Sequence, residues 1–241
     1  MKADPTPLPA CTIAEIALDF PHAIKILNRY ELDYCCHGRT SFADACLRNH
    51  VNPSRVWDEI LHELPIPAGN QSRHFLTWDV PLLIDFIVQN HHEYVRVSVP
   101  QLKELVEKIT ANHANEYPWL PEMKENFDLL AEEIIDHLPK EEEILFPAIR
   151  RIATSPLSAS KSPLLANIQG TIAAMESEHA HAADILKLLR SLTHHYTAPV
   201  GSCPTFQLMY RLLEEFDDEL VQHIHLENNI LFSKVKISPS S

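Results

Sequence analysis

Residues 137–146, HLPKEEEILF, decide the fold of this chain together with residues 223–232, HIHLENNILF, to which they align without a gap. Both stretches read H-x-x-x-E-x-x-I-L-F, and residues four apart lie on the same face of an α-helix. Each stretch therefore directs its histidine and its glutamate the same way. Apolar residues continue both stripes before and after the polar pair, so the pairs occupy positions that face a core. The two pairs are His137 with Glu141 and His223 with Glu227.

Two further helical stretches, one before each copy of the repeat, carry histidines in close pairs. The apolar stripe of the earlier stretch passes through His91 and misses His92. The stripe of the later stretch passes through His179 and misses His181. The 3.6-residue period of the helix therefore predicts that His91 and His179 face the core and that their neighbours do not.

The whole chain is predicted to be all-α. Only four glycines occur in 241 residues, which leaves few turns of the kind that β-hairpins need. Long stretches rich in Leu, Ile, Ala, Glu and Lys instead follow a helical period. The four longest, joined by short loops, predict an up-down four-helix bundle. They span about 78–112, 121–152, 163–195 and 204–235.

Composition divides the chain into three segments. Residues 8–65 predict a small helical domain with a Cys-Cys motif, and residues 77–236 predict the four-helix bundle. Residues 66–76 between them have the proline, glycine, asparagine and serine content of a linker. Because this linker carries few apolar side chains, we expect residues 73–241 to fold and bind metal without the preceding segment.

Charge and cysteine content exclude several classes of protein. The formal net charge of −13 argues against nucleic acid and against an anionic membrane as partners. No run of about 18 apolar residues is present that could span a bilayer. The N-terminus lacks the basic and apolar regions of a signal peptide. Five cysteines, two of them adjacent, argue against a disulfide scaffold, so we expect a protein of the reducing cytoplasm.

The inward-facing polar side chains form a candidate metal site. Similar spacings between the four histidines return them to one level of an up-down bundle. Two buried carboxylates without positive charge nearby would be strongly unfavourable, so cations would stabilise them. Six donors suit two metal ions better than one, and imidazole with carboxylate favours iron, manganese or zinc. Each histidine pattern alone is common without metal, but their conjunction at one level is not. The predicted ligands are His91, His137, Glu141, His179, His223 and Glu227.

Residues 78–233 resemble the hemerythrin-like (HHE) domain, in the branch that uses four histidines and two bridging glutamates. The two repeated motifs carry most of the resemblance, with Q-N-H at 89–91 and E-S-E-H at 176–179. The resemblance implies two non-haem iron ions, bridged by an oxide and by carboxylates. One departure is Pro139, which removes the helical hydrogen bond to Ile135 and is expected to kink the second helix.

A second informative segment, residues 32–39, reads LDYCCHGR. Adjacent cysteines do not form the two arms of an ordinary zinc clip, which needs Cys-x-x-Cys spacing. Cys35 and Cys36 are therefore redox-active thiols, a strained vicinal disulfide, a single soft ligand, or simply two small buried residues. His37 and His22 would add positive charge that lowers a thiol pKa.

Residues 11–64 resemble the N-terminal domain of the RIC family, the proteins for repair of iron centres. The usual signature of that domain is D-[FY]-C-C-G-G, and His37 here replaces the first glycine and adds a possible metal ligand. The resemblance implies repair of iron–sulfur clusters damaged by nitric oxide or peroxide, with the di-iron centre as iron donor. It also implies damaged or apo iron–sulfur proteins as partners and Cys35 and Cys36 as the reactive residues.

Two further functions compete with iron donation. The bundle site would also serve a di-iron reductase that acts on nitric oxide or peroxide, so the sequence leaves open whether the chain is an enzyme. A hemerythrin-type oxygen carrier or sensor is disfavoured, because oxygen carriage does not need the cysteine domain and no signalling domain is visible. The protein is expected to act as a monomer or homodimer. In each case the bundle is predicted to hold the iron and the cysteine domain to govern its transfer or reduction.

Overall fold

The structure is a computed structural model that describes residues 8–20, 23–62, 75–154 and 161–235, with the backbone alone for residues 161–167. Within these ranges the regular structure is helical, and the only β-type pairing is an isolated bridge between Thr12 and Ser41. The prediction of an all-α fold is thereby confirmed. Residues 66–74 of the predicted linker lie outside the described ranges.

Four short helices form the N-terminal unit: α1 (Ile13–Asp19), α2 (Ala23–Arg29), α3 (Phe42–Arg48) and α4 (Pro53–His62). A capping box opens α1, in which the backbone N–H of Glu15 donates to the Thr12 hydroxyl and the backbone N–H of Thr12 donates to the Glu15 carboxylate. The cysteine segment lies between α2 and α3. Its backbone is held to the start of α1 by a hydrogen bond from Ala14 N to Gly38 O of 3.0 Å.

The bundle consists of four rods, each running through one or more helical elements. The first rod (80–113) joins α5 (Val80–Phe86), π1 (Ile87–His92) and α6 (Glu93–His113), and the second (120–154) joins α7 (Leu120–Lys140), π2 (Glu141–Leu145) and α8 (Phe146–Thr154). The third is α9 (Lys161–Leu192). The fourth (204–235) joins α10 (Pro204–His225), π3 (Leu226–Leu231) and α11 (Phe232–Val235).

The three π segments lie at one level of the bundle and contain His91, His92, Glu141 and Glu227, whereas His137, His179 and His223 lie in the adjoining α-helices. A π turn accommodates one more residue than an α turn, so it rotates the following side chains relative to the 3.6-residue period. Pro139 does not end the second helix, since α7 continues to Lys140. π2 begins two residues later, and the fourth rod has π3 at the equivalent place with His225 in the position of Pro139.

Buried apolar residues form two clusters, one on each side of the level that contains the π segments. Along the first and third rods the chain passes from the smaller cluster into the larger one. Along the second and fourth rods it passes in the opposite direction, which makes the bundle up-down. The residues that flank the boundary are Ile87 and Val95, Leu138 and Leu145, Met175 and Ala182, and Ile224 and Leu226.

The larger cluster is continuous with the core of the N-terminal unit. Tyr34, which is 1% exposed, packs edge-on against His225 of α10 with ring centroids 5.1 Å apart. At the surface of the same interface, the Asn28 amide donates to Asp218 at 2.8 Å. The expectation of an independent bundle rested on the linker alone and did not anticipate these contacts.

Candidate metal centre

Six buried side chains converge between the two apolar clusters. They form two groups of four, and in each group the potential ligand atoms all lie within 4.8 Å of one another. Glu141 and Glu227 belong to both groups. Two groups that share two carboxylates can hold two neighbouring cations with the carboxylates between them. The groups are His92, Glu141, His223 and Glu227, and His137, Glu141, His179 and Glu227.

The structure departs from the sequence prediction on the first rod, where it places His92 and not His91 among the donors. Nε2 of His92 lies 3.4 Å from Oε2 of Glu141 and 3.5 Å from Oε1 of Glu227. Nδ1 of His91 instead lies 2.6 Å from Glu219, and its ring stacks on His223. Both histidines are buried, at 3% and 0% exposure, so burial alone does not distinguish them. The reason for the correction is π1, which shifts the register between the preceding apolar stripe and its own last residues.

The other five predicted ligands meet in the cluster. Nε2 of His223 lies 2.9 Å from Oε1 of Glu227, and Nε2 of His179 lies 3.2 Å from Oε2 of the same glutamate. Nε2 of His137 lies 3.3 Å from Oε1 of Glu141. His181, which the apolar stripe missed, lies outside both groups and is exposed near Glu133.

The two buried carboxylates give the cluster a negative charge that bound cations would neutralise. Both glutamates are fully buried, and neither oxygen of Glu141 receives a well-oriented hydrogen bond from the described residues. The Nε2 atoms of His137 and His179 lie only 3.1 Å apart, and two imidazole lone pairs this close need a proton or a metal ion between them. The donor set of imidazole and carboxylate suits iron, manganese or zinc.

Protons can supply part of this positive charge. Burial by itself would lower the pKa of His92, but the carboxylates of Glu141 and Glu227 raise it to about 10. The same opposition, with Glu141 as the main partner, raises the pKa of His137 to about 9. Burial also opposes ionisation of Glu227, yet the histidines around it hold its pKa well below the usual value. The two carboxylates are therefore built to remain ionised.

Three of the four clustered histidines are oriented by a partner on Nδ1. Nδ1–H of His92 donates to Glu142 at 2.6 Å, and Nδ1–H of His137 donates to Glu178 at 2.8 Å. Nδ1–H of His179 donates to the amide oxygen of Asn228 at 2.9 Å. These bonds turn each Nε2 lone pair towards the glutamates, as outer partners of metal-binding histidines do.

Sequence reasoning missed all three of these partners, although a signal for them was present. Each one directly flanks a predicted ligand in the sequence: Glu142 follows Glu141, Glu178 precedes His179, and Asn228 follows Glu227. A neighbour of an inward-facing residue on a helix points sideways, towards the adjacent rod. Polar residues at such positions are therefore candidates for orienting a ligand on the next helix.

The cysteine pair lies in a loop organised by Asp33. The Sγ atoms of Cys35 and Cys36 lie 3.6 Å apart as free thiols. One carboxylate oxygen of Asp33 accepts hydrogen bonds from Cys36 N at 2.8 Å and from Cys35 Sγ at 3.3 Å. These three side chains form a third group with potential ligand atoms within 4.8 Å. Gly38 closes the loop, since a Cβ there would lie 2.6 Å from the Tyr34 carbonyl oxygen.

The expectation that a histidine lowers a thiol pKa in this loop does not match the structure. The hydrogen bond with Cys36, burial, and the negative charge of Asp33 raise the pKa of Cys35 well above its usual value. His37 contacts Asp33 through Nδ1 at 2.5 Å and is not among the grouped donors. His22 lies outside the described residues. Cys35 is therefore a protonated thiol in the resting loop.

Comparison with known proteins agrees with this architecture. Residues 83–235 match the hemerythrin HHE cation binding domain, and residues 10–64 match a domain of unknown function, ScdA_N. The chain is 33% identical to the iron-sulfur cluster repair protein YtfE of Escherichia coli O81 (strain ED1a) over 227 residues. This alignment covers 92% of this chain and 94% of that protein. The chain belongs to the RIC family. The YtfE proteins of Citrobacter koseri and Escherichia fergusonii are 32% and 33% identical to this RIC protein, with the same coverage.

In the part of this RIC protein that the structure describes, no helix combines the length and the apolar character that crossing a membrane requires.

Proposed function

We propose that this protein holds two iron ions in the bundle and repairs damaged iron–sulfur clusters by donating iron to them. The observation that carries the proposal is the pair of donor groups that share Glu141 and Glu227. The relatives that match nearly the whole chain are named as iron–sulfur cluster repair proteins, which supports the same function. Clients would be iron–sulfur proteins that have lost iron after exposure to nitric oxide or peroxide.

Each iron would be held by two histidines and by both glutamates. His92 and His223 would bind one ion, and His137 and His179 the other. When bound, iron would supply one-electron redox chemistry, and it is also the cargo to be delivered. The residues around it orient the imidazoles, since Glu142 and Glu178 hold one proton of His92 and of His137 on Nδ1 and leave Nε2 to a proton or a metal ion.

The outer carboxylates are themselves neutralised at the surface. Arg96 Nη2 donates to Glu142 at 2.5 Å, and Lys140 Nζ donates to Glu178 at 2.9 Å. The imidazoles therefore have anionic partners that increase their basicity without a net negative charge at the bundle surface.

A cavity of about 360 Å³ connects one half of the site with solvent. His137 and His179 of the site line it, and the charged residues of its lining are Glu133, Asp136, Lys140 and Glu178. Because Lys140 pairs with Glu178, the net negative charge of the lining comes from Glu133 and Asp136, which favours the passage of a cation such as iron over that of an anion. Access to the second pair of histidines would follow once the first ion has left.

We further propose that the cysteine pair governs the transfer or the reduction of this iron. Cys35 and Cys36 lie on the N-terminal unit where it meets the fourth rod, and the Asn228 amide lies 4.0 Å from Cys36 Sγ. Ferrous iron is bound less tightly than ferric iron by carboxylates, so release needs electrons. Oxidation of the two thiols to a disulfide would release two electrons and two protons, enough to reduce two ferric ions to ferrous ions, and a thiolate could instead act as a soft transient ligand.

Iron transfer to an apo iron–sulfur protein, followed over time, tests the proposed function. The iron-loaded protein is mixed anaerobically with the apo client and sulfide, and the cluster is detected by its absorption and by client activity. Iron should leave the protein as the cluster forms. The same sample is assayed for consumption of nitric oxide and of peroxide. Rapid turnover of either compound, with iron retained and no cluster formed, would favour the reductase and overturn donation.

A further inference from the structure

Asn228 and Glu142 occupy equivalent positions in the two halves of the bundle. Each directly follows a shared glutamate, Glu227 or Glu141, in the repeated motif. Each also accepts a hydrogen bond from Nδ1 of a clustered histidine on a neighbouring rod, at 2.9 Å for Asn228 and 2.6 Å for Glu142. The two residues thus perform the same task towards the donor cluster with different chemistry.

The difference is that an asparagine also donates. A carboxylate has acceptors only, whereas an amide that accepts through its oxygen has two N–H groups left. Asn228 directs its Nδ2 to the carbonyl oxygen of Cys35 at 3.2 Å, and Cys36 Sγ lies 4.0 Å away. The contacts with His179 and with the Cys35 carbonyl determine the orientation of the amide, since Nδ1–H of His179 needs an acceptor and the carbonyl oxygen needs a donor.

The next residue in the repeat shows the same substitution. Glu143 is exposed on the second rod, whereas Asn229 on the fourth rod donates to the carbonyl oxygens of Tyr34 and Cys35 at 3.0 and 3.1 Å. Two acidic residues in one half of the bundle are therefore amides in the other half, and both amides hold the cysteine segment. Of the two, only Asn228 also contacts a clustered histidine.

We propose that Asn228 is a positioning residue that couples the metal site to the cysteine pair. The inference rests on the metal-binding role proposed above for His179. A cation on Nε2 withdraws electron density from the ring, so Nδ1–H becomes a stronger donor and holds the Asn228 oxygen more firmly. A fixed amide in turn holds the Cys35 carbonyl. Metal in the bundle thus restrains the cysteine loop, and loss of the metal releases it.

Through this coupling, the exposure of the cysteine thiols depends on whether iron is bound in the bundle. In the iron-loaded protein Cys35 stays buried and protonated. After iron has left, the loop opens more often and exposes the thiols to a reductant or a client. By thermodynamic reciprocity, chemistry at the cysteines that pulls the Cys35 carbonyl away weakens the hold on His179.

Alkylation of the cysteines by iodoacetamide, followed residue by residue with mass spectrometry, tests the coupling. The full-length protein is compared after loading with iron(II) alone under anaerobic conditions and after complete removal of metal. Cys35 should react about fivefold more slowly in the loaded wild type, the ratio that one hydrogen bond of ~1 kcal/mol provides. Metal content is measured first, so that failure to bind metal is distinguished from failure of the coupling.

Asn228→Asp is the deciding variant. It keeps an acceptor for His179, as Glu142 provides in the other half, but loses the donor to Cys35. It should bind metal like the wild type while the ratio of the two alkylation rates falls to about one. Asn229→Asp is the matched control, since it loosens the cysteine segment without touching His179. It should speed alkylation in both states and preserve the ratio.

Three results would overturn the coupling or its assignment to Asn228. The first is a wild type that retains iron but alkylates at the same rate with and without it, which leaves the donation proposal standing. The second is an Asn228→Asp protein in which Cys35 is still alkylated more slowly with metal than without it. This would show that metal protects the thiols by binding them directly. If Asn228→Asp proves unstable, loss of the ratio in Asn229→Asp alone would likewise contradict the assignment to Asn228.

Discussion

Nε2 of His92 lies 3.4 Å from Oε2 of Glu141, and this contact joins the first rod of the bundle to the second. The adjacent His91 is also buried, but it lies against Glu219 and stacks on the His223 ring. His92 thus faces the donor cluster, whereas His91 packs against one of its members, His223. The distinction depends on a single residue of helical register.

Replacing His92 by alanine should remove most of the bound metal. The group that contains His223 would keep only one imidazole, and two buried carboxylates would lose a positive neighbour. His91→Ala should keep the metal, with loss limited to packing against His223. Metal per chain after purification and exhaustive dialysis distinguishes the two variants, with His181→Ala as an exposed control. Retention of metal by His92→Ala together with loss in His91→Ala would contradict the register described above.

Replacing Glu141 or Glu227 by alanine should leave some metal bound but weaken the communication between the two ions. Each glutamate belongs to both donor groups, so its removal takes away a bridge while two histidines of each group remain. The two irons of the wild type should show magnetic coupling by variable-temperature susceptibility or Mössbauer spectroscopy. Coupling of wild-type strength in both single variants would contradict a position of these carboxylates between the ions.

Replacing both Cys35 and Cys36 by alanine should leave the iron content unchanged but slow cluster repair. Neither thiol belongs to the donor groups of the bundle, and alanine fits the small buried volume of Cys35. Repair is followed with a damaged iron–sulfur protein and this variant. Excess external reductant should restore the rate if the thiols carry electrons and fail to do so if they act as ligands. Repair at the wild-type rate without added reductant would mean that the cysteines serve only in packing.

Replacing Tyr34 by alanine should lower the free energy of unfolding by about 3 kcal/mol, as expected for removal of a fully buried aromatic ring. The ring is 1% exposed and packs on His225, so its loss opens a cavity between the N-terminal unit and the bundle. Denaturant unfolding measures the effect. Tyr34→Phe is the matched control and should cost little, because the Tyr34 hydroxyl has no hydrogen-bond partner among the described residues. Equal stability of the wild type and Tyr34→Ala would mean that the interface does not contribute to folding.

The sequence by itself determined the helical class and the up-down order of the bundle. It also predicted five of the six residues that converge, because residues four apart on a helix share a face and because the apolar stripe of the third rod passes through His179. His137 with Glu141 and His223 with Glu227 could be selected in this way from their motifs alone. The cysteine segment could be recognised, but not its surroundings.

The tertiary structure decided what depends on register breaks and on contacts between distant segments. The choice between His91 and His92 was decided by π1, because a π turn changes the rotation per residue and the 3.6-residue period carries no sign of it. The raised pKa of Cys35 was decided by burial and by Asp33, where the sequence suggested a lowered pKa from nearby histidines. The link from His179 through Asn228 to Cys35 joins residues from three parts of the chain, which only the packing of the N-terminal unit on the fourth rod brings within hydrogen-bond distance.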